Sequence, residues 1–242
     1  MTPRVAFDRY WPFAVLLLAA MVMVITHPVL QDESYHLFAD ARRVLEIPNF
    51  CNVVSNVSFA VVGILGLWRL RGRSARVLFS GVLLTCLGSA YYHWAPSDTR
   101  LVYDRLPMTL VFMSLLAHVM ADSSDSRYEA RLLVLLVATG VASVVWWRVT
   151  GDLRPYAMVQ FGLLLVLLPK LRTLHDAKLL GAALGFYVLA KLAEHYDGAI
   201  YSVVRMGGHA WKHIFSALAA FWIYRWWQLE TTWTPEGAGH AN

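Results

Sequence analysis

Three histidines carry the pattern best suited to chemistry in this sequence. His209 and His213 lie four residues apart in Gly208-His-Ala-Trp-Lys-His213. That spacing puts both imidazoles on one helix face, as a shared metal ion requires. His93 closes an earlier apolar stretch. Three neutral imidazoles plus a water make an open catalytic zinc set. Ser89 lies four residues before His93, on the same helix face, and Asp104 starts the next helix after a short loop containing Pro96. Locally, Ser89 reads as a hydroxyl bonded back to its own helix, and Asp104 as a helix-start acid beside Arg105. The short loop from His93 lets the Asp104 carboxylate return to the metal instead. Zinc lowers the pKa of bound water to about 7 and polarises a carbonyl. Asp104 would then carry the proton and Ser89 would donate to the oxyanion. A serine nucleophile fits less well, because the imidazoles serve as ligands and none is left as its base.

The other histidines have plainer readings. His27 and His36 flank the first external loop, His118 sits near a helix end, His175 is in a basic loop and His240 is in the tail. His195 stands as a candidate neighbour of the metal ligands.

The elements that position these residues are helices in a membrane. Of 242 residues, 58% are hydrophobic and 15% charged, with a mean hydropathy of +0.49. A soluble domain carries about 25% charged residues. Ten Trp and eleven Tyr fit the same class, since amphipathic rings collect at membrane interfaces. The net charge of +5 is spread through short loops, which argues against nucleic-acid binding. Cys51 and Cys86 read as ordinary buried thiols. The sequence carries no signal for oligomeric state.

Eight apolar stretches, about 11–30, 50–70, 75–94, 102–121, 129–148, 155–171, 177–198 and 209–228, approach the roughly 20 residues that span a bilayer. Strands are excluded by the lack of alternation and by the cost of open edges in lipid. The first stretch ends in His27-Pro-Val without a small-residue cleavage site and reads as a retained helix rather than a signal. The polar segment Gln31–Pro48 reads as a short amphipathic helix at the surface. The organisation is then 1–48, an N-terminal helix with a polar interfacial segment; 49–230, the hydrolase core; and 231–242, a loose tail. The basic cluster Arg69-Leu-Arg-Gly-Arg-Ser-Ala-Arg76 places both termini in the cytoplasm by the positive-inside rule. Segment 31–48 and the loops 94–102 and 199–208 then share the opposite side.

Taken in order, Ser89, His93, Asp104 with Leu106-Pro-Met108, and His209-Ala-Trp-Lys-His213 resemble the motif of the alkaline ceramidases. These belong to a superfamily of seven-helix membrane hydrolases that includes the adiponectin and progestin receptors. Asn52-Val-Val-Ser-Asn56 is also similar to the family's first core helix, and the resemblance runs from about residue 49 to 228. It implies an all-α integral membrane bundle of seven core helices, with 11–30 as an extra one. It also implies zinc on His93, His209 and His213, with Ser89 and Asp104 beside the reacting water. The substrate it implies is a ceramide-like N-acyl lipid in the bilayer, cut to a fatty acid and a sphingoid-type amine. Asp197 resembles an acid that the family carries before its last helix, which makes it a candidate for support of the site. A family calcium site would fall on Asp32, Glu33, Asp40 and Asn49, although its Trp pattern is missing and Asn49 stands where a Glu is usual. The extra helix and compact loops suggest a bacterial member, in an inner membrane with the site toward the periplasm. The competing readings are a receptor-like member with structural zinc, and a transporter or haem protein. The last is disfavoured because His209 and His213 share one helix.

Overall fold

The computed structural model describes residues 3–121 and 126–232; His240 and the expected tail beyond 232 lie outside them. Ten α-helices follow in order among these residues: α1 (Pro3–Ile25), α2 (Phe50–Val54), α3 (Val57–Arg69), α4 (Arg73–Trp94), α5 (Asp98–Met120), α6 (Ser126–Thr150), α7 (Arg154–Lys170), α8 (Ala177–His195), α9 (Asp197–Val204) and α10 (Gly208–Thr232). No strand occurs among the described residues, only the isolated bridges Leu30–Asp152 and Val44–Ile47.

Three runs are long and apolar enough to cross a membrane: Phe50–Arg69, Arg73–Trp94 and Arg127–Thr150. The expectation of eight spans counted more. The difference lies in where charge falls. Asp104 and Arg105 are inside α5, Lys191 and Glu194 inside α8, and Lys212 inside α10, while α7 has only 17 residues. Ionisable side chains at such positions are costly and mark function.

The second apolar stretch is broken by its own polar residues. Asn56 Nδ2 donates to the carbonyls of Asn52 and Val53, and the Ser55 hydroxyl donates to Asn52. These bonds compete with the helix ladder, so α2 ends at Val54 and α3 starts at Val57. Pro107, inside α5, has no N–H to offer the Tyr103 carbonyl. Gly88 of α4 packs on that freed carbonyl; a Cβ at 88 would lie 1.9 Å from it. The α4–α5 approach, which sets Ser89 against Asp104, therefore depends on a glycine.

The segment 31–48 does not form the expected amphipathic helix. It makes one 3-10 turn, Glu33–His36, and then crosses the end of the bundle as irregular chain. Leu45, Glu46 and Asn49 take the left-handed conformation, which a continuous helix excludes, and partners outside the segment take up its polar groups. Ala39 N–H donates to Asp197 at 2.8 Å, Arg42 reaches the Arg205 carbonyl, and His36 meets Tyr92 and Asp98 at 2.9 and 3.2 Å. The three segments expected on one side of the membrane are thus tied together at one end of the bundle. Here the Arg42 guanidinium holds the Asp40 carboxyl below the usual carboxylate range, and Arg154 does the same for Asp152. Arg154 also caps the last carbonyls of α1 at Met23 and Thr26, a favourable place for a cation.

The main core joins α3 to α8 and α10. A smaller cluster of Tyr92, Leu101, Val144, Trp147 and Tyr156 lies under the 31–48 segment, with Tyr35 and Phe38 packed on it.

Candidate metal centre

The last turn of α4 and the first turns of α10 meet beneath the 31–48 segment. There the imidazoles of His93, His209 and His213, all buried, bring one ligand atom each within 4.8 Å of one another. Their ring centroids are 4.8 to 5.1 Å apart. Phe38 closes the site from outside, 4.8 Å from the His93 ring and 4.5 Å from that of His209.

Both nitrogens of His93 are buried without a hydrogen-bond partner. An orphaned buried imidazole costs on the order of 1–3 kcal/mol, and a metal ion held between three such rings removes that cost. The donor set of three neutral imidazoles suits zinc, and also copper, iron or nickel. The orientation of His213 supports the same conclusion. Its Nδ1 lies 2.8 Å from the Ser55 hydroxyl, and that hydroxyl already donates to the Asn52 carbonyl. The His213 Nδ1–H is therefore the donor to Ser55, which leaves Nε2 as a free lone pair, the usual outer support of a ligating histidine. Ser55 leaves only an indirect sign in the sequence, as one of the polar residues that interrupt an apolar run.

Positioning of the other rings is equally local. Asn49 Nδ2 donates to the His93 carbonyl at 2.8 Å and caps the end of α4. The Asp197 carboxylate accepts from His209 N–H at 2.9 Å and from Ala39 N–H at 2.8 Å. It thus fixes the start of α10 and its cover, through backbone rather than through an imidazole. Gly208 lets α10 approach α8, since a Cβ there would lie 2.1 Å from the Ala193 carbonyl. His195 is exposed with its ring on Tyr196, and among the described residues it makes no ring contact with the three histidines.

The calcium positions do not gather. Asp32 caps the 3-10 turn through Ser34 N–H, Glu33 is exposed, Asp40 is held by both ends of the Arg42 guanidinium, and Asn49 is taken by His93. The resemblance implied a shared ion there; instead Asp32, Asp40 and Asn49 are engaged by partners within the protein.

Ser89 and Asp104 are buried and line one cavity together with His213. Arg105 is not the partner of Asp104. Its guanidinium takes Gln31 at 2.6 Å and lies 4.0 Å from the Trp147 ring centre. Tyr91 and Trp94 are half exposed and Tyr92 is buried against His36.

A cavity of about 1090 Å³, its open mouth included, starts at Ser89, Asp104, Lys212 and His213 and ends at Leu167, Leu180 and Ile223. From His213 to Ile223 along α10 is about 15 Å by helix rise. Its walls are apolar apart from the polar end, Thr85, Ser216 and the Gln160–Tyr187 hydrogen bond of 3.0 Å. α8 packs on α10, whereas α7 packs on α5, α6 and α1; the cavity is lined by α3, α4, α5, α7, α8 and α10.

A search of curated proteins returns no match. The family model described as Ceramidase matches residues 44–178. That stretch carries Ser89, His93 and Asp104 and stops before α10. Because it covers more than half of the sequence, the chain belongs to the ceramidase family.

Proposed function

We propose that this protein is a zinc-dependent membrane amidase that hydrolyses the N-acyl bond of ceramide-like lipids to a fatty acid and an amine. The observation that carries the reading is His93, buried with two unpartnered nitrogens beside His209 and His213, the last of which lines the polar end of an apolar cavity. Family membership supplies the reaction class.

In this reading α2 with α3, and α4, α5, α6, α7, α8 and α10, are the seven core spans, and α1 is an additional one. The termini are cytoplasmic and the metal centre faces the periplasmic side of a bacterial inner membrane. The acyl chain lies along the cavity toward Ile223, entering from the bilayer between α7 and α8.

When bound, zinc supplies a Lewis acid that acidifies water and polarises the amide carbonyl. His93, His209 and His213 hold it as neutral ligands. Asp104 takes the proton of the attacking water and delivers it to the departing amine nitrogen. Ser89 donates its hydroxyl hydrogen to the oxygen that gains charge as water adds; such a donor contributes about 3 kcal/mol. Phe38 and the 31–48 segment exclude bulk water, which strengthens each of these interactions.

The test is metal content and hydrolysis of a panel of N-acyl lipids, with and without a zinc chelator. One zinc per chain, chelator-sensitive turnover, and an Asp104→Asn protein that keeps its metal but not its turnover are expected. Turnover indifferent to chelation overturns the metal role. Bound metal with no turnover on any lipid favours the receptor-like reading.

A further inference from the structure

The cavity that begins at Ser89, Asp104 and His213 has a definite depth and a packed floor. Along α10 its wall runs from His213 to Ile223, and along α5 from Asp104 to Leu115. By helix rise these intervals are about 15 and about 16 Å, so two helices give the same depth. Side chains lean toward the N-terminus of their own helix at both ends of each interval, so the spacing along the backbone carries over to the space between the walls. At the far end Leu115, Leu167, Leu180 and Ile223 line the cavity and belong to the main core, each between 1% and 9% exposed. Trp226 follows one turn beyond Ile223 in the same core, and its indole N–H donates to the His175 carbonyl at 3.0 Å. The floor is thus packed side chain, tied to the loop that joins α7 to α8.

The shaft above this floor suits a plain alkyl chain. Its polar wall groups are engaged within the protein: Thr85 donates to the Gly81 carbonyl at 2.9 Å, and Gln160 donates to the Tyr187 oxygen at 3.0 Å. Below Ser216 the α10 wall is Ala219 and Ala220 before Ile223, and α8 offers Ala183 before Leu180. Small residues therefore line the shaft and large ones close it. An extended alkyl chain advances about 1.25 Å per carbon, a C–C bond of about 1.5 Å taken along its zigzag. The depth then matches about twelve carbons.

We infer that this protein selects its substrate by acyl-chain length, with the best fit near twelve carbons, and that Ile223 and Leu180 set the limit. The inference rests on the amidase reading, in which the amide lies at the metal centre and the acyl chain runs down the cavity. A shorter chain leaves a void against the floor and forfeits dispersion contacts there. A longer chain meets the floor and has to fold back or force the walls apart. The chain arrives from lipid, which is as apolar as the cavity. Transfer out of water is therefore no part of the difference, and fit to the shaft is what discriminates.

A series of N-acylsphingosines with saturated chains, from octanoyl to stearoyl, tests this on the full-length protein in mixed micelles. Fatty-acid release gives kcat/KM, and calorimetry gives the affinity of the corresponding free acids. N-lauroylsphingosine should be the best substrate, with the stearoyl compound lower by roughly tenfold or more, the scale on which an overfilled site resists its guest. Ile223→Ala removes three side-chain carbons from the floor and should move the optimum up by about two carbons; Leu180→Ala should move it the same way. Ala220→Leu, two turns below His213, should move it down to about eight carbons. A stearoyl optimum in the wild-type protein overturns the inference, as does an optimum that stays in place in both Ile223→Ala and Ala220→Leu. If no amide is cut but the free acids show the same optimum and the same shifts, the amidase reading fails and the length limit stands. Hydrolysis at even rates across the series keeps the amidase and sinks the length limit. Should Ala220→Leu not fold, Ile223→Ala and Leu180→Ala decide, and an optimum unmoved in both ends the assignment.

Discussion

Among the described residues, the buried His93 and the mostly buried His118 sit in sites that solve opposite problems. Near the end covered by segment 31–48, His93 has no partner for either nitrogen and two more imidazoles face it. Toward the other end of α5, His118 has both nitrogens occupied, by Glu129 of α6 at 3.1 Å and by Glu230 of α10 at 2.7 Å. Its ring also stacks on Trp227, with centroids 4.1 Å apart. Both sites are polar islands among apolar helices. One is complete as folded; the other is complete only with something added. A buried polar group without a partner signals a ligand, whereas one with every position filled signals a structural tie, here among α5, α6 and α10. The two Glu side chains of the tie approach opposite edges of one imidazole, so they cannot converge on a shared ion.

The contrast can be broken or sharpened by experiment. The largest effect is expected from His93→Ala: metal content should drop from about one per chain to near zero and turnover by at least about a thousandfold. A stoichiometric metal in that variant would equate the two sites and end the distinction. His118→Ala should do the reverse. It leaves two carboxylates facing each other, so stability should fall by about 2–3 kcal/mol, read as a lower melting temperature in detergent, while metal content stays at the wild-type level. A smaller effect tests the outer support of the triad. Ser55→Ala should weaken metal affinity about tenfold in a chelator competition and leave the melting temperature of the metal-free protein nearly unchanged.

The smallest effect concerns the cover over the triad. The Asp40 carboxyl is held below its ordinary value by Arg42, so its contribution is present above the unfolded value near pH 4 and lost as pH falls further. Asp40→Asn should melt about 2–4 °C lower at pH 7, and the gap should close below about pH 4. A gap that persists at pH 3 would mean the Asp40–Arg42 pair does not tie the cover down.

The parts of the site legible in the sequence are those whose partners are close along the chain. His209 and His213 announce a shared face by their spacing, and Ser89 and Asp104 flank His93 within a turn or a short loop. Segment 31–48 departs from the expected amphipathic helix because its apolar residues Tyr35 and Phe38 pack on the bundle while its polar groups find partners in distant loops. His118 looked ordinary because Glu230 lies 112 residues away, and nothing in the local pattern points that far. Lys212 and Glu194, paired between α10 and α8, are silent for a related reason: each reads as a lone charge until the two helices are side by side. The number of spans was harder to read than the site, because the charges that build the site are also those that lower the hydropathy of α5, α8 and α10.

The three imidazoles come from α4 and α10, with five helices threaded between them. A ribosome delivers α4 well before α10, and domains take shape as they emerge. A nascent chain therefore owns one imidazole of the three until α10 is made. A product cut short before residue 208 lacks the enclosure that the three rings build together.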